Sequence, residues 1–182
     1  MQAGMVVDEA SLENLDLLLQ SLNGYSNAKI VHIAQVILHG SRGDCHGPYL
    51  QAYVKALDTS CCVGDVRRCL AFFYVANEIL QNTRNDRGWN SALANVLSKY
   101  LPRVCAIACE KHIEWNVPMN ILRLPGVWRK DGIFPPEFCD KLQAMCEATY
   151  RGQYELQPEG VMRGGGMSMD GPEKDMGREM MA

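Results

Sequence analysis

Apolar residues recur at steps of three and four along most of the chain, and glycine, proline and asparagine clusters interrupt them at short intervals. That period belongs to helices with one face turned inward. Ser11 is placed to cap a first helix carrying Leu12, Leu15, Leu18, Leu19 and Leu22. "LNGYSN" breaks it, and Ser26 or Asn27 can cap a second helix with Ile30, Ile33, Ile37 and Leu38 inward. After the loop "HGSRGDCHG", Pro48 suits the first turn of a third helix ending near Leu57. "DTSCCVGD" then connects to a fourth, capped by Asp65 and reaching Asn85. A fifth helix is predicted from about Trp89 to Tyr100, and Pro102 starts or kinks a sixth through Ile113. "WNVP" precedes a seventh, about Met119 to Lys130, and "DGIFPP" an eighth, about Pro136 to Thr149. The alternation of a half-buried strand is nowhere convincing, so the pattern predicts an all-α stack of about eight helices with antiparallel neighbours. A repeat of 34 or 40 residues is not visible, which disfavours a tetratricopeptide or HEAT array.

The fourth helix departs from a simple core pattern. Positions 70, 72, 73, 75, 76, 79 and 80 are all apolar, an arc wide enough to be packed on several sides. Yet Tyr74, Glu78, Gln81, Asn82 and Asn85 recur at steps of about four and three and fall on one narrow strip. An unpaired buried carboxylate is costly, so Glu78 must be paired or face water. Two readings stay open: a groove whose amides and carboxylate meet a peptide, or an internal network that fixes helix register. Asn77 lies off the strip and reads as a buried amide bonded to neighbouring backbone.

Composition narrows the class. A chain of 182 residues is one domain with room for a tail, here divided into 1–150 and 151–182. The segment after Tyr150 is rich in glycine and methionine and poor in branched apolar residues, too little to offset its ordering entropy, so disorder is expected there. A net charge of −3 offers no polycationic face, and direct nucleic-acid binding is not expected. "MQAGMVVDEASLEN" lacks the features of a secretion signal, and no apolar run approaches a membrane span, so a soluble intracellular protein is expected.

Candidate chemistry is sparse. Eight cysteines in such a chain read as reduced thiols. Cys61 and Cys62 are adjacent without further ligands; Cys105, Cys109 and His112 share a helical face suited to zinc, although free cysteine is often only a small buried hydrophobe, as read for Cys139 and Cys146. "DCHGP" groups Asp44, Cys45 and His46 in a loop without a nucleophile elbow, and the four histidines are scattered. Phosphate cradles of the Gly-x4-Gly-Lys kind are absent. Neither catalysis nor a cofactor is expected.

Two stretches carry a resemblance to a known family. "FFYVANEILQNTR" closely resembles the signature helix of the CTD-interacting domain, the module that binds the C-terminal repeats of RNA polymerase II, and "NILRLPGVWRKDGIFPPEF" looks like its helix with an arginine five residues before a tryptophan. "SNAKIVHIAQVILH" is a weaker match to its second helix, and the likeness covers about residues 9 to 149. It implies a right-handed superhelix of eight helices, related to ENTH and VHS domains, whose groove holds a β-turn of the heptad Tyr-Ser-Pro-Thr-Ser-Pro-Ser. Peptide contacts are implied for Tyr74, Glu78, Gln81, Asn82 and Arg84. Of these, Glu78 stands where the family has an aspartate bonding the heptad tyrosine, Asn82 where an asparagine holds peptide backbone, and Tyr74 near the ligand prolines. Phosphate contacts are implied for Arg123 at the second-position serine and for Ser26, Asn27 and Lys29 near the fifth, with Arg129 and Lys130 close to the place of a second arginine, which here is Asp131.

Three functions follow as expectations. The first is a nuclear, non-catalytic reader of the phosphorylated polymerase tail, in transcription termination, RNA 3′-end processing or phosphatase recruitment, alone or with other subunits of such a complex. The second is a trafficking adaptor of the ENTH or VHS type, and the third a helical scaffold without a working groove. The acidic "VVDEASLENLDLLLQ" disfavours the lipid-binding N-terminal helix that an ENTH adaptor needs, and no membrane partner is expected.

Overall fold

The computed structural model describes residues 9–114 and 116–154, and all regular structure among them is helical. Seven helices follow in order: α1 Glu9–Ser21, α2 Asn27–Ser41, α3 Pro48–Cys62, α4 Val66–Asn82, α5 Arg87–Glu110, α6 Asn116–Lys130 and α7 Pro136–Tyr154.

α4 is the hub. It packs against α2, α3, α5 and α6, and its whole apolar arc is buried, from Leu70, Phe72 and Phe73 to Ile79 and Leu80. Its start is fixed as the sequence suggests: the Asp65 carboxylate accepts a bond from the Arg68 amide at 3.0 Å, satisfying one of the orphan donors of the first turn. α3 is fastened to it by Tyr53, whose hydroxyl donates to the Phe72 carbonyl at 2.7 Å. The two rings meet edge to face at 5.6 Å, and burial pushes the Tyr53 phenol far above its usual value. At the end of α2, Gly40 lets α3 approach closely, since any Cβ there would lie 2.1 Å from the Tyr49 ring.

Several boundaries differ from the sequence pattern for identifiable reasons. The expected fifth and sixth helices are one, α5, with Pro102 inside it. Proline forfeits the bond to the Ser98 carbonyl, but Leu97, Leu101, Val104, Cys105 and Ala108 form an unbroken buried line through it, and packing outweighs one lost bond. α3 continues past Leu57 to Cys62 because Ser60 and Cys61 extend its buried face, leaving a short turn that ends at Gly64 with φ +68°. α1 already runs at Glu9, so Ser11 lies within its first turns and does not cap it. "WNVP" separates less than expected, since Asn116 to Pro118 form the first turn of α6. α7 extends to Tyr154, so residues 151–154 of the expected tail are helical, and the remainder, 155–182, lies outside the described residues.

All eight cysteines are free thiols. Cys61 and Cys69 face one another at 3.6 Å between α3 and α4, and Cys105, Cys139 and Cys146 fill the interior. α5 ends at Glu110 and His112 turns away with φ +51°, so it does not share a helical face with Cys105 and Cys109. Among the described residues no group of His, Cys, Asp and Glu is placed to hold a metal ion, and no helix is long and apolar enough to cross a membrane.

Candidate functional site

α2 and α6 both pack on α4 but not on each other, so the line of α4 between them stays uncovered. That line is the polar strip. Tyr74, Glu78 and Gln81 are half-buried on it, and Asn82, Arg84 and Asn85 are exposed. Where α4 ends, the strip opens into a concavity of about 810 Å3 lined by Gln81, Asn82, Arg84, Asn85, Asp86 and Arg87 among others. Asp86 shapes its far wall by capping α5, its carboxylate accepting from the Gly88 amide at 2.9 Å and the Trp89 amide at 3.2 Å.

Of the two readings left open by the sequence, the internal network is present, and the strip is open to water as well. The Asn82 amide donates to the Glu78 carbonyl at 2.8 Å and to its carboxylate at 3.1 Å. Gln81 donates to the Asp131 carboxylate at 2.7 Å and accepts from the Arg84 Nε at 3.0 Å, with a second bond from the same guanidinium. Arg84 and Asp131 themselves stand 4.0 Å apart. The groove is therefore prearranged: Glu78 and Asn82 hold each other's position on α4, and Gln81 ties α4 to the end of α6.

The upper end of the strip is built by three elements. Tyr25, in the turn between α1 and α2, meets Tyr74 edge to face at 5.4 Å and is itself 71% exposed. The Tyr74 hydroxyl is raised above its usual pKa, first by burial and then by Tyr25, while the charge of Arg123 acts in the opposite direction. Arg123 on α6 thus lies within electrostatic reach of Tyr74. Its placement follows from the tryptophan five residues on. Trp128 is fully buried, packs edge to face on Phe134 at 5.8 Å, and donates its indole N–H to Asn77 Oδ1 at 2.9 Å. Five residues rotate a helix by about 140°, so with Trp128 pinned inward Arg123 faces out.

Asn77 corrects one expectation: its partner is a tryptophan side chain on another helix, not neighbouring backbone. Tyr25 and Asn77 are the residues that sequence reasoning missed. The only sign of Tyr25 was an aromatic ring in a polar turn, and that of Asn77 a polar residue inside an otherwise apolar arc.

The remaining candidates are distributed unevenly. Ser26 is the N-cap residue of α2, half-buried, with no capping bond from its hydroxyl; Asn27 is exposed in the first turn. Lys29 is exposed and donates to the Ser21 carbonyl at 3.1 Å, which ties it to the end of α1. Arg129 turns to α7 and pairs with Asp140 at 2.6 Å, away from the strip. Lys130 is exposed, and its spacing of seven from Arg123 puts both on one face of α6. Pro125 and Gly126 sit within α6 without ending it, Pro125 buried and Gly126 exposed.

The site is thus an open polar seam on a helical stack. The CID domain profile matches residues 13–142, well over half of the chain, which therefore belongs to the CID domain family. That family consists of protein-interaction modules directed at the C-terminal domain of RNA polymerase II, in transcription-related processes. The all-α stack agrees with its fold, with seven helices where eight were expected. A search of curated proteins found no match.

Proposed function

We infer that this chain is a non-catalytic reader of the phosphorylated C-terminal tail of RNA polymerase II, acting in the nucleus in transcription termination, RNA 3′-end processing or phosphatase recruitment. The supporting observation is an uncovered line on α4 whose paired amides and carboxylate are open to water, beside an exposed Arg123 on α6 whose charge is felt at Tyr74. A peptide turn lies along α4, its backbone bonded by Asn82 and its aromatic hydroxyl met by Glu78. The guanidinium of Arg123 takes the phosphoryl group through a bidentate, charge-assisted contact. In this reading Ser26 and Asn27 at the start of α2 meet a second phosphate, joined by Lys29 once it leaves the Ser21 carbonyl, and Lys130 lies on the Arg123 face of α6.

Titration of the chain with unphosphorylated, singly and doubly phosphorylated heptad peptides tests this reading. One charged hydrogen-bonded contact contributes about 1.5–3 kcal/mol, or about 10- to 150-fold in affinity. Arg123→Glu therefore abolishes the preference for phosphate at the second-position serine. Unchanged affinity and unchanged phosphate dependence in that variant remove Arg123 from the site and leave the groove as a scaffold surface.

A further inference from the structure

A second concavity, of about 430 Å3, lies between α3 and α5 and includes no residue of α4. Its inner surface is apolar: Leu50 and Tyr100 are buried in the core and contribute their edges, and Val54 is half-buried beside them. Two ammonium groups stand at its walls, Lys55 from α3 and Lys99 from α5. Lys99 Nζ sits 4.8 Å from the centre of the Tyr100 ring. Asp58 is the acidic residue of the lining, and its charge is already matched, since its Oδ1 accepts from Arg103 at 3.1 Å and from the Tyr100 hydroxyl at 3.0 Å. Neither Lys55 nor Lys99 makes an ion pair within 4.0 Å among the described residues, and Lys99 acts on Asp58 only as the weakest of the groups that hold its carboxyl low.

An apolar hollow flanked by two lysines, with Arg103 beside it and a single carboxylate, Asp58, in the lining, is net positive and complementary to an acidic occupant. We propose that this concavity docks an acidic peptide segment of a partner protein, inserting one large aliphatic or aromatic side chain between α3 and α5 with carboxylates on either side of it. Lysine supplies point charges without the planar fork that favours phosphate, and the one guanidinium nearby, Arg103, is engaged by Asp58. Carboxylates therefore fit the two walls better than phosphoryl groups. The site is independent of the α4 groove, so the chain can hold a second protein while a peptide occupies the first.

The test uses the full chain and a fluorescein-labelled peptide, Asp-Glu-Asp-Leu-Phe-Asp-Glu-Glu, followed by anisotropy. Binding is expected to weaken about tenfold on combining Lys55→Glu with Lys99→Glu, to be lost when Ser-Ser replaces Leu-Phe, and to persist in Arg123→Glu. Both lysines are exposed, so the charge reversals leave the fold intact, which circular dichroism checks. Equal affinity in the double variant overturns the proposal, as does displacement of the probe by a phosphorylated heptad peptide, which would place it on α4. Displacement by a synthetic peptide of residues 155–182 at low concentration also overturns it, because the occupant is then this chain's own C-terminal segment.

Discussion

The bond between Asn77 and Trp128 joins α4 to α6, the helix that carries Arg123, and its removal has a calculable cost. Trp128→Phe deletes the indole donor and leaves Asn77 Oδ1 without its 2.9 Å partner; Asn77→Ala strands the indole N–H in a fully buried ring. An unsatisfied group in such a place costs about 1–3 kcal/mol, whereas removing both partners together is far milder. At a urea slope of about 2 kcal/mol/M, each single variant lowers the unfolding midpoint by about 0.5–1.5 M, beyond which Trp128→Phe adds the volume it loses. A double-mutant cycle separates the two and is expected to return a coupling of about 1 kcal/mol. Because the bond fastens α6 to α4, both variants also move Arg123 and weaken phosphopeptide binding at temperatures where they remain folded. A coupling within about 0.3 kcal/mol of zero refutes the idea that this bond joins the helices.

Three further outcomes follow from the same geometry. Asp131→Asn removes a negative charge from the groove, loses the 4.0 Å contact to Arg84, whose partners are 51% and 28% exposed, and leaves an amide oxygen in place of the carboxylate that accepts from Gln81 at 2.7 Å; phosphopeptide affinity by calorimetry rises about 2- to 5-fold at a cost of no more than about 1 kcal/mol in stability. Asp65→Ala strips the α4 cap and lowers stability by about 1 kcal/mol, read as a fall of about 2–4 °C in Tm. The Asp58 carboxyl is held below the usual aspartate value, first by the Tyr100 hydroxyl and then by Arg103. A depressed folded-state pKa gives stability that is present above the ordinary value and lost as pH falls through the folded one, so Asp58→Asn flattens the acid limb of the stability profile below about pH 4.

What the sequence disclosed divides along physical lines. The apolar arc of α4, its Asp65 cap and the polar strip were legible because each depends on spacing within a single helix; that the strip stays uncovered depends on how α2 and α6 pack and was left open. The run of α5 through Pro102 was not, because local propensity ends a helix there while tertiary burial of Leu101 and Val104 carries it on. The extension of α3 to Cys62 escaped for a similar reason, a buried cysteine reading as loop when it serves as a small hydrophobe. The contacts of Tyr25 with Tyr74, Trp128 with Asn77 and Gln81 with Asp131 join residues about fifty apart, and nothing in a periodicity reports such pairs. Arg129 shows the converse: it stands close to Arg123 in sequence, but helical rotation hands it to Asp140 on α7.

The most direct measurement is backbone chemical-shift mapping of the isotopically labelled chain during titration with a heptad peptide phosphorylated on its second-position serine. Saturable shifts are predicted for the amides of Tyr74 to Asn82 on α4 and of Thr83 to Asn85 in the turn after it, of Met119 to Lys130 on α6 and of Tyr25 to Lys29 at the start of α2, with the Arg123 side-chain signal moving only when the phosphate is present. Shifts confined to other faces, or a response identical with the unphosphorylated peptide, contradict the assignment of this groove as a phosphate-dependent reader.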